Sequence, residues 1–320
     1  MQSPILLVVF NRPDTTRQVF EAIRAARPPR LYVAADGPRP ERPDEAEKCA
    51  EVRRLTTQID WPCELKTLFR SNNLGCKLGV SSAIDWFFKN EPEGIILEDD
   101  IVPLPSFFLY CDELLEKYRY DHRIGIISGC NFVAQSISIS ESYFFSIYNH
   151  IWGWASWRRA WQHYDISMIN WPAWKKGKGI KKYSNASKLF EAYWSNIFEK
   201  THNDPSVTWW DYQWTFICWE KNMLSILPKS NQIINIGFGT DATHTTGEAP
   251  NFVMNSKPKI IDFPLVHPKK IEINNFADKL ISKKVFGIST FLFIKIILSK
   301  APILLNITRR IRNIVTLKTK

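Results

Sequence analysis

Between residues 4 and 128 the chain alternates short apolar runs with segments of helical character, and few folds accept that alternation. The runs are residues 4–10, 31–35, 63–69, 94–97 and 124–128. Breakers close them: Asn11-Arg12-Pro13-Asp14, Asp36-Gly37-Pro38, the polar loop from Arg70 to Gly79, and Pro103. The segments between, residues 15–26, about 46–59, 80–88 and 106–118, read as helices. Asp14 is placed to cap the first, and Ile84, Phe87 and Phe88 give the third an apolar face. Parallel strands need a crossover between them, so strands alternating with helices predict a mainly parallel, doubly wound α/β sheet.

Such a sheet gathers the C-terminal ends of its strands along one edge, where open sheets bind ligands. Arg12, Asp36, the loop carrying Asn73, Gly75 and Gly79, and the triplet Glu98-Asp99-Asp100 all fall just past strand ends. Three acids together repel one another unless a cation shares the site. A hard divalent cation is the natural candidate, held by one or two carboxylates and a substrate's phosphates. Glycines let backbone approach a ligand closely. Each feature alone is equally readable as a turn or a surface ion pair; together they favour a site for a phosphorylated ligand with a metal.

The second half differs in composition. Of 13 tryptophans, 11 lie between Trp152 and Trp219. Trp154, Trp157 and Trp161 follow helical spacing and read as a core stripe, with the surplus available as a platform for sugar rings. Residues 175–188 read as a basic loop, and 207–219 as an amphipathic helix. Within it Asp211 sits among Trp209, Trp210, Tyr212 and Trp214. It reads either as a proton acceptor whose ionised form is disfavoured or as a first-turn acid facing the helix dipole. Residues 226–236 suggest a late strand pair. His244 has three readings: metal ligand, phosphate contact or structural loop histidine.

Charge is unevenly spread. Residues 267–320 hold 12 Lys/Arg against 2 Asp/Glu, while the remaining 30 Lys/Arg balance 30 Asp/Glu. The body is therefore not a nucleic-acid-binding surface. Residues 285–305 are apolar but interrupted by Lys295, Lys300 and Pro302, too short a clean run to span a bilayer. They read as a basic amphipathic tail, either lying on an anionic membrane surface or packed on the domain. Six scattered cysteines and a short first apolar run suggest neither zinc, disulfides nor a signal peptide, and so a cytoplasmic protein, peripheral on the inner membrane face if the tail anchors it.

Residues 98–110, Glu-Asp-Asp-Ile-Val-Pro-Leu-Pro-Ser-Phe-Phe-Leu-Tyr, resemble the metal-binding segment of the N-acetylglucosaminyltransferase I family. Phe10-Asn11-Arg12, Ala34-Ala35-Asp36, Gly153-Trp154 and Trp210-Asp211-Tyr212-Gln213-Trp214 agree with that family in order. The overall pattern is also similar to bacterial hemolytic-protein-like nucleotide-diphospho-sugar transferases. The resemblance runs over residues 4–244. It implies a GT-A-like domain over residues 1–265, with a nucleotide-binding half (1–130) and an acceptor-binding half (131–265), followed by the tail at 266–320. It implies an inverting transfer from a nucleotide-diphospho-sugar, expected to be a UDP-sugar, to a hydroxyl of a glycan or lipid-linked glycan in cell-envelope polysaccharide synthesis. Carried across by position, Asp100 would bind Mn2+ or Mg2+; His244 keeps its own reading as a further metal-ligand candidate, outside what the resemblance carries across. Glu98 and Asp99 would orient ribose and sugar, Asp36 would meet the base, Arg12 would sit by the phosphates, and Asp211 would deprotonate the acceptor. The family has two acids where this chain has Asp211-Tyr212. Two other readings stay open: a nucleotidyltransferase, and a non-catalytic membrane-associated module on a degenerate transferase fold.

Overall fold

The computed structural model describes residues 1–238 and 249–289. In order the elements are β1 (Ile5–Val9), α1 (Pro13–Ala26), β2 (Arg30–Ala35), α2 (Glu45–Thr56), β3 (Glu64–Phe69), α3 (Gly75–Asn90), β4 (Glu93–Glu98), β5 (Ile101–Pro103), α4 (Pro105–Lys117) and β6 (Ile124–Ser128). There follow β7 (Tyr143–Ser146), β8 (Trp154–Trp157), α5 (Arg158–Trp161), α6 (Trp171–Lys176), α7 (Lys188–Asn203), α8 (Asp211–Glu220), β9 (Leu224–Pro228), β10 (Ile233–Asn235), α9 (Asn251–Met254) and α10 (Asn275–Lys284).

Eight strands form one sheet in the order β3-β2-β1-β4-β8-β6-β9-β7, and β10 pairs antiparallel with β5 in a separate ribbon. The expected doubly wound α/β architecture is present. β3, β2, β1 and β4 are mutually parallel. Beyond them β8 inserts antiparallel between β4 and β6, β9 runs parallel to β6, and β7 closes the edge antiparallel. Alternate side chains of a strand face opposite sides. β1 therefore sends Leu6 into one core with Tyr32, Ala34 and Ile96, and Ile5, Leu7 and Val9 into another with Leu31, Val33 and Leu97.

Several local expectations are corrected. α1 starts at Pro13, with Arg12 in the cap position; Asp14 lies inside the first turn and makes no cap hydrogen bond. Proline suits that first position because its missing N–H would be unpaired anyway. The Trp154–Trp157 segment is a strand, not a helix. Gly153, at φ +61, turns the chain into it, and residues three apart on a strand face opposite sides, so Trp154 and Trp157 enter different cores. α8 is not amphipathic: Gln213 to Trp219 are all buried, because α7 and the tryptophan core enclose it. The basic segment is partly ordered as α6 and a short 3-10 turn at Gly179–Lys182. The late strands do not pair with each other; β9 joins the main sheet and β10 leaves for β5. Of the tryptophan surplus, Trp154, Trp157, Trp161, Trp171, Trp194, Trp210, Trp214 and Trp219 are core.

Residues 266–289, expected to open the tail, run along the β7 edge. Val266 N donates to Ser142 Oγ at 2.9 Å, Tyr143 Oη meets His267 Nδ1 at 2.9 Å, and Ile273 bridges Phe145. α10 buries Ala277, Asp278 and Ile281. The rest of the expected tail lies outside the described residues. No helix among the described residues is long and apolar enough to cross a membrane.

Gly94 lets α3 press onto β4: an added Cβ would meet Phe87 Cζ at 2.4 Å and the Pro4 carbonyl at 2.8 Å. Gly94→Ala is expected to cost about 1–3 kcal/mol through overpacking, read as a lower urea midpoint with an unchanged slope.

Candidate active site

Four parallel strands end together, and their continuations meet. In register, Val8 of β1 lies beside Glu98 of β4, Val9 beside Ala35 of β2, and Ala35 beside Phe69 of β3. The next residues along each strand form the rim. Arg12 is fixed by the start of α1, where its carbonyl accepts from Thr16 N at 3.0 Å and Thr16 Oγ1 at 2.6 Å. Its guanidinium hydrogen-bonds Asp99 and stands 3.0 Å from Asp100 Oδ2. Phe10 N also donates to Asp99, at 3.3 Å. Arg12 is thus the cation that two of the three acids share.

Burial pushes the Glu98 carboxyl up to about 8, helped by the charges of Asp100 and Asp99. Burial likewise raises Asp99 to about 6, with Arg12 pulling it back. One guanidinium therefore does not neutralise the triplet, and an electrostatic cost of bringing the acids together remains.

Asp36, Asn73, Gly75 and Gly79 are brought together as expected, and they hold one another. The Asp36 carboxylate accepts from Gly37 N at 3.1 Å, Leu74 N at 2.9 Å and Gly75 N at 3.1 Å, satisfying amides at the start of α3. Asn73 Nδ2 donates to the Gly37 carbonyl at 2.8 Å, and its Oδ1 accepts from Gly75 N at 3.1 Å. Gly75 has φ +73, a conformation that favours glycine. A Cβ at Gly79 would stand 3.2 Å from Asp36 Oδ2. This set shapes the loop facing the acids.

The opposite flank comes from β10. Ile236 N donates to the Asp100 carbonyl at 2.9 Å, and Gly237 passes so close that a Cβ there would lie 1.9 Å from Asp100 Oδ2. Trp152, half-buried, packs edge-on to Phe238 with ring centroids 5.8 Å apart. His244 lies outside the described residues.

Asp211 begins α8. Burial pushes its carboxyl up to about 6, against hydrogen bonds from backbone amides at the helix start. Its charge acts on Glu98 across the site. Cys76 lies between the halves: burial, then the charges of Glu98, Asp211 and Asp36, raise its thiol to about 12, so it stays protonated. Tyr164 lies beside Asp211, stacks on Trp161 with centroids 4.3 Å apart, and donates to the Trp210 carbonyl at 3.1 Å. Thr215 Oγ1 is 3.1 Å from the Asp211 carbonyl and donates to Asn149 Oδ1 at 2.7 Å. Cys76, Tyr164, Asn149 and Gly237 escaped the sequence reading. The Gly237-Phe238-Gly239 pattern was the visible signal; the other three carry none.

Among the described residues no group of three or more His, Cys, Asp or Glu side chains is arranged to hold a metal ion. The donor chemistry fits a metal bound partly by its substrate: Asp100 offers an oxygen at the rim, its side chain 18 % exposed. The excess negative charge leaves a deficit that a divalent cation would fill, and small hard cations keep most of their positions for phosphate and water.

No family model matches the chain, and no curated protein matches it. Solved structures do. A 4-diphosphocytidyl-2C-methyl-D-erythritol synthase from Anaerococcus prevotii is 6% identical over 73% of this chain and 92% of its own, TM-score 0.36. Mouse xyloside xylosyltransferase 1 is 10% identical over 70% and 84%, TM-score 0.36. A UDP-glucose pyrophosphorylase bound to UDP-glucose is 10% identical over 47% and 64%, TM-score 0.26. The overlays are partial, and the chemistry is read from the side chains of this chain.

Gly237→Ala is expected to drive the Asp100 carboxylate from its place beside Arg12. The fold should persist, with a thermal midpoint within a few degrees; if the rim takes Mn2+ with a nucleoside diphosphate, isothermal titration would show UDP binding with Mn2+ weakened roughly tenfold or more, about 1.4 kcal/mol.

Proposed function

We propose that this chain is a glycosyltransferase that moves a sugar from a nucleotide-diphospho-sugar to an acceptor hydroxyl with inversion. The observation that carries the reading is the placement of a half-buried carboxyl, Asp211, near enough for its charge to raise Glu98 in an acid cluster suited to a cation held with a diphosphate. Two carboxylate sites of different character, one beside the leaving group and one beside the attacking group, are what a single displacement needs.

In this reading Asp100 would hold Mn2+ or Mg2+ together with the donor, and the ion, when bound, would neutralise charge on the leaving group as a Lewis acid. Arg12 keeps Asp99 and Asp100 aligned. Glu98, its carboxyl pushed toward the protonated form, donates a hydrogen bond to a sugar or ribose hydroxyl. The Asp36–Asn73–Gly75 loop holds the α3 start against the nucleotide. Asp211 takes the acceptor's proton as its oxygen attacks the anomeric carbon from the face opposite the diphosphate. The aromatic walls around Asp211 disfavour its anion, which strengthens it as a base near neutral pH. Trp152 offers a half-buried ring edge beside the Asp100 flank for an apolar sugar face.

A base that titrates near 6 is active when deprotonated. Turnover is therefore expected to climb with unit log slope up to about pH 6 and level off above it. Asp211→Asn should lower kcat by about 10²–10⁴ and flatten that limb, with donor affinity unchanged by calorimetry; lost donor affinity would make Asp211 a structural residue.

Asp100→Ala is expected to abolish metal-dependent donor binding, seen as loss of the Mn2+-dependent thermal shift by UDP-sugars. A shift by nucleoside triphosphates and a sugar phosphate in place of UDP-sugars would move the assignment to nucleotidyl transfer.

A further inference from the structure

A polar atom buried without a partner costs free energy, so each one in a folded chain calls for an explanation. Two stand side by side in the segment between β7 and β8. Asn149 is half-buried, and its Nδ2 is shut from solvent with no hydrogen-bond partner among the described residues. His150 is 6 % exposed, and its Nε2 is likewise buried and without a partner among the described residues. The His150 ring packs edge-on to Phe132, with centroids 4.7 Å apart. Burial pulls the imidazole down to about 3, so it stays uncharged.

Contacts at both ends fix where this segment stands. Asn149 Oδ1 accepts from Thr215 Oγ1 at 2.7 Å. Thr215 lies four residues along α8 from Asp211, on the same helix face and about one pitch, ~5.4 Å, away. Ser128 Oγ donates to the His150 carbonyl at 2.7 Å, and Gly129 N donates to the Gly153 carbonyl at 2.7 Å, which holds the segment at the C-terminal end of β6. Trp152, half-buried, packs on Phe238, the residue after the Gly237 that presses on Asp100. Residues 149–152 therefore run from the Asp211 helix to the Asp100 flank, and both unpartnered nitrogens lie on that path.

The two groups ask for a particular chemistry. An amide nitrogen only donates, while a neutral imidazole nitrogen donates or accepts according to its tautomer. Hydroxyls do both, so a polyol satisfies the pair. A carboxylate or phosphate would face an uncharged ring, with the acid Asp211 one helical turn away, and would be desolvated without a cation. We infer that Asn149 and His150 line the acceptor subsite and hydrogen-bond the hydroxyls of an uncharged sugar ring whose apolar face lies against Trp152. One helical pitch is comparable with the separation of two hydroxyls on one pyranose ring, so the hydroxyl at Asp211 and the hydroxyl at Asn149 belong to the same sugar. Calling that sugar the acceptor rests on the transferase reading; the sugar site itself does not.

The test is a saturation-transfer NMR titration of the full chain with the methyl glycosides of glucose, galactose and mannose, and with methyl glucuronide. At least one neutral hexoside is expected to bind, with the glucuronide roughly tenfold weaker or more. Asn149→Leu and His150→Phe should each weaken the neutral hexoside about three- to tenfold. Their thermal midpoints should stay within a few degrees, because each removes an unpartnered nitrogen and Thr215 keeps the Asp211 carbonyl, 3.1 Å away, as its acceptor. No hexoside binding, a glucuronide that binds as tightly, or binding indifferent to both substitutions would overturn the subsite. So would a large fall of both midpoints, which would make the two side chains structural. UDP release from UDP-sugars with Mn2+ and the same hexosides, measured on the unaltered chain, reads the transferase assignment separately. If hexosides bind through Asn149 and His150 but no UDP is released, the sugar site stands and the transferase reading fails. If hexosides speed UDP release while binding ignores both substitutions, the transferase reading stands and this subsite is wrong.

Discussion

One guanidinium against three carboxylates is the constraint around which the rest of this molecule is arranged. Arg12 meets Asp99 and Asp100, placed there because β1 lies parallel beside β4 with Val8 opposite Glu98. The neutralisation is incomplete, since burial and its acidic neighbours leave Glu98 raised to about 8. Folding has therefore assembled a cluster that is more costly alone than with a further cation, a pattern found where pKa values are tuned for function. The cost is borne by the sheet: β1, β2 and β4 are buried on both faces, and that apolar burial fixes the acids' positions whatever their mutual repulsion.

The tryptophans have the complementary role. Seven of the eight buried ones in the second half, all but Trp157, fill the space between the mixed half of the sheet and helices α5 to α8. Trp154 stacks on Trp210, with centroids 6.0 Å apart, and Trp210 immediately precedes Asp211. The dry wall that raises Asp211 is thus the same packing that joins the second half of the chain to the first. The position of Asp211 and the stability of the second half draw on one set of contacts here, so this carboxyl cannot be moved without repacking the core.

The C-terminal part of the described chain continues this economy. Residues 266–289 complete the β7 edge, which would otherwise expose unpaired backbone, and they bring Phe286 against the aromatic layer that backs Asp211. Of the two readings the sequence left open for the tail, packing on the domain holds for residues 266–289, which join the half that carries Asp211, and the outward lysines of α10 are the part left over from that packing.

The alternation of apolar runs with helical segments determined the parallel half of the sheet, because each run carries its own breaker and each crossover its own apolar face. It also determined that Arg12, Asp36, the Asn73–Gly79 loop and Glu98 to Asp100 share an edge, since strand polarity is a property of the chain's order. What the sequence could not decide is which partner each rim residue chooses. That Asp36 spends its oxygens on the α3 amides, that Gly237 presses on Asp100, and that Cys76, Tyr164 and Asn149 gather near Asp211 depend on contacts between segments distant in the chain. The tryptophan cluster misled for the same reason: a spacing of three suits a helix face, and only the gap between β4 and β6 made residues 154–157 a strand. Local pattern encodes local geometry, while side-chain partnership is settled by whichever surfaces the completed sheet brings within hydrogen-bonding distance.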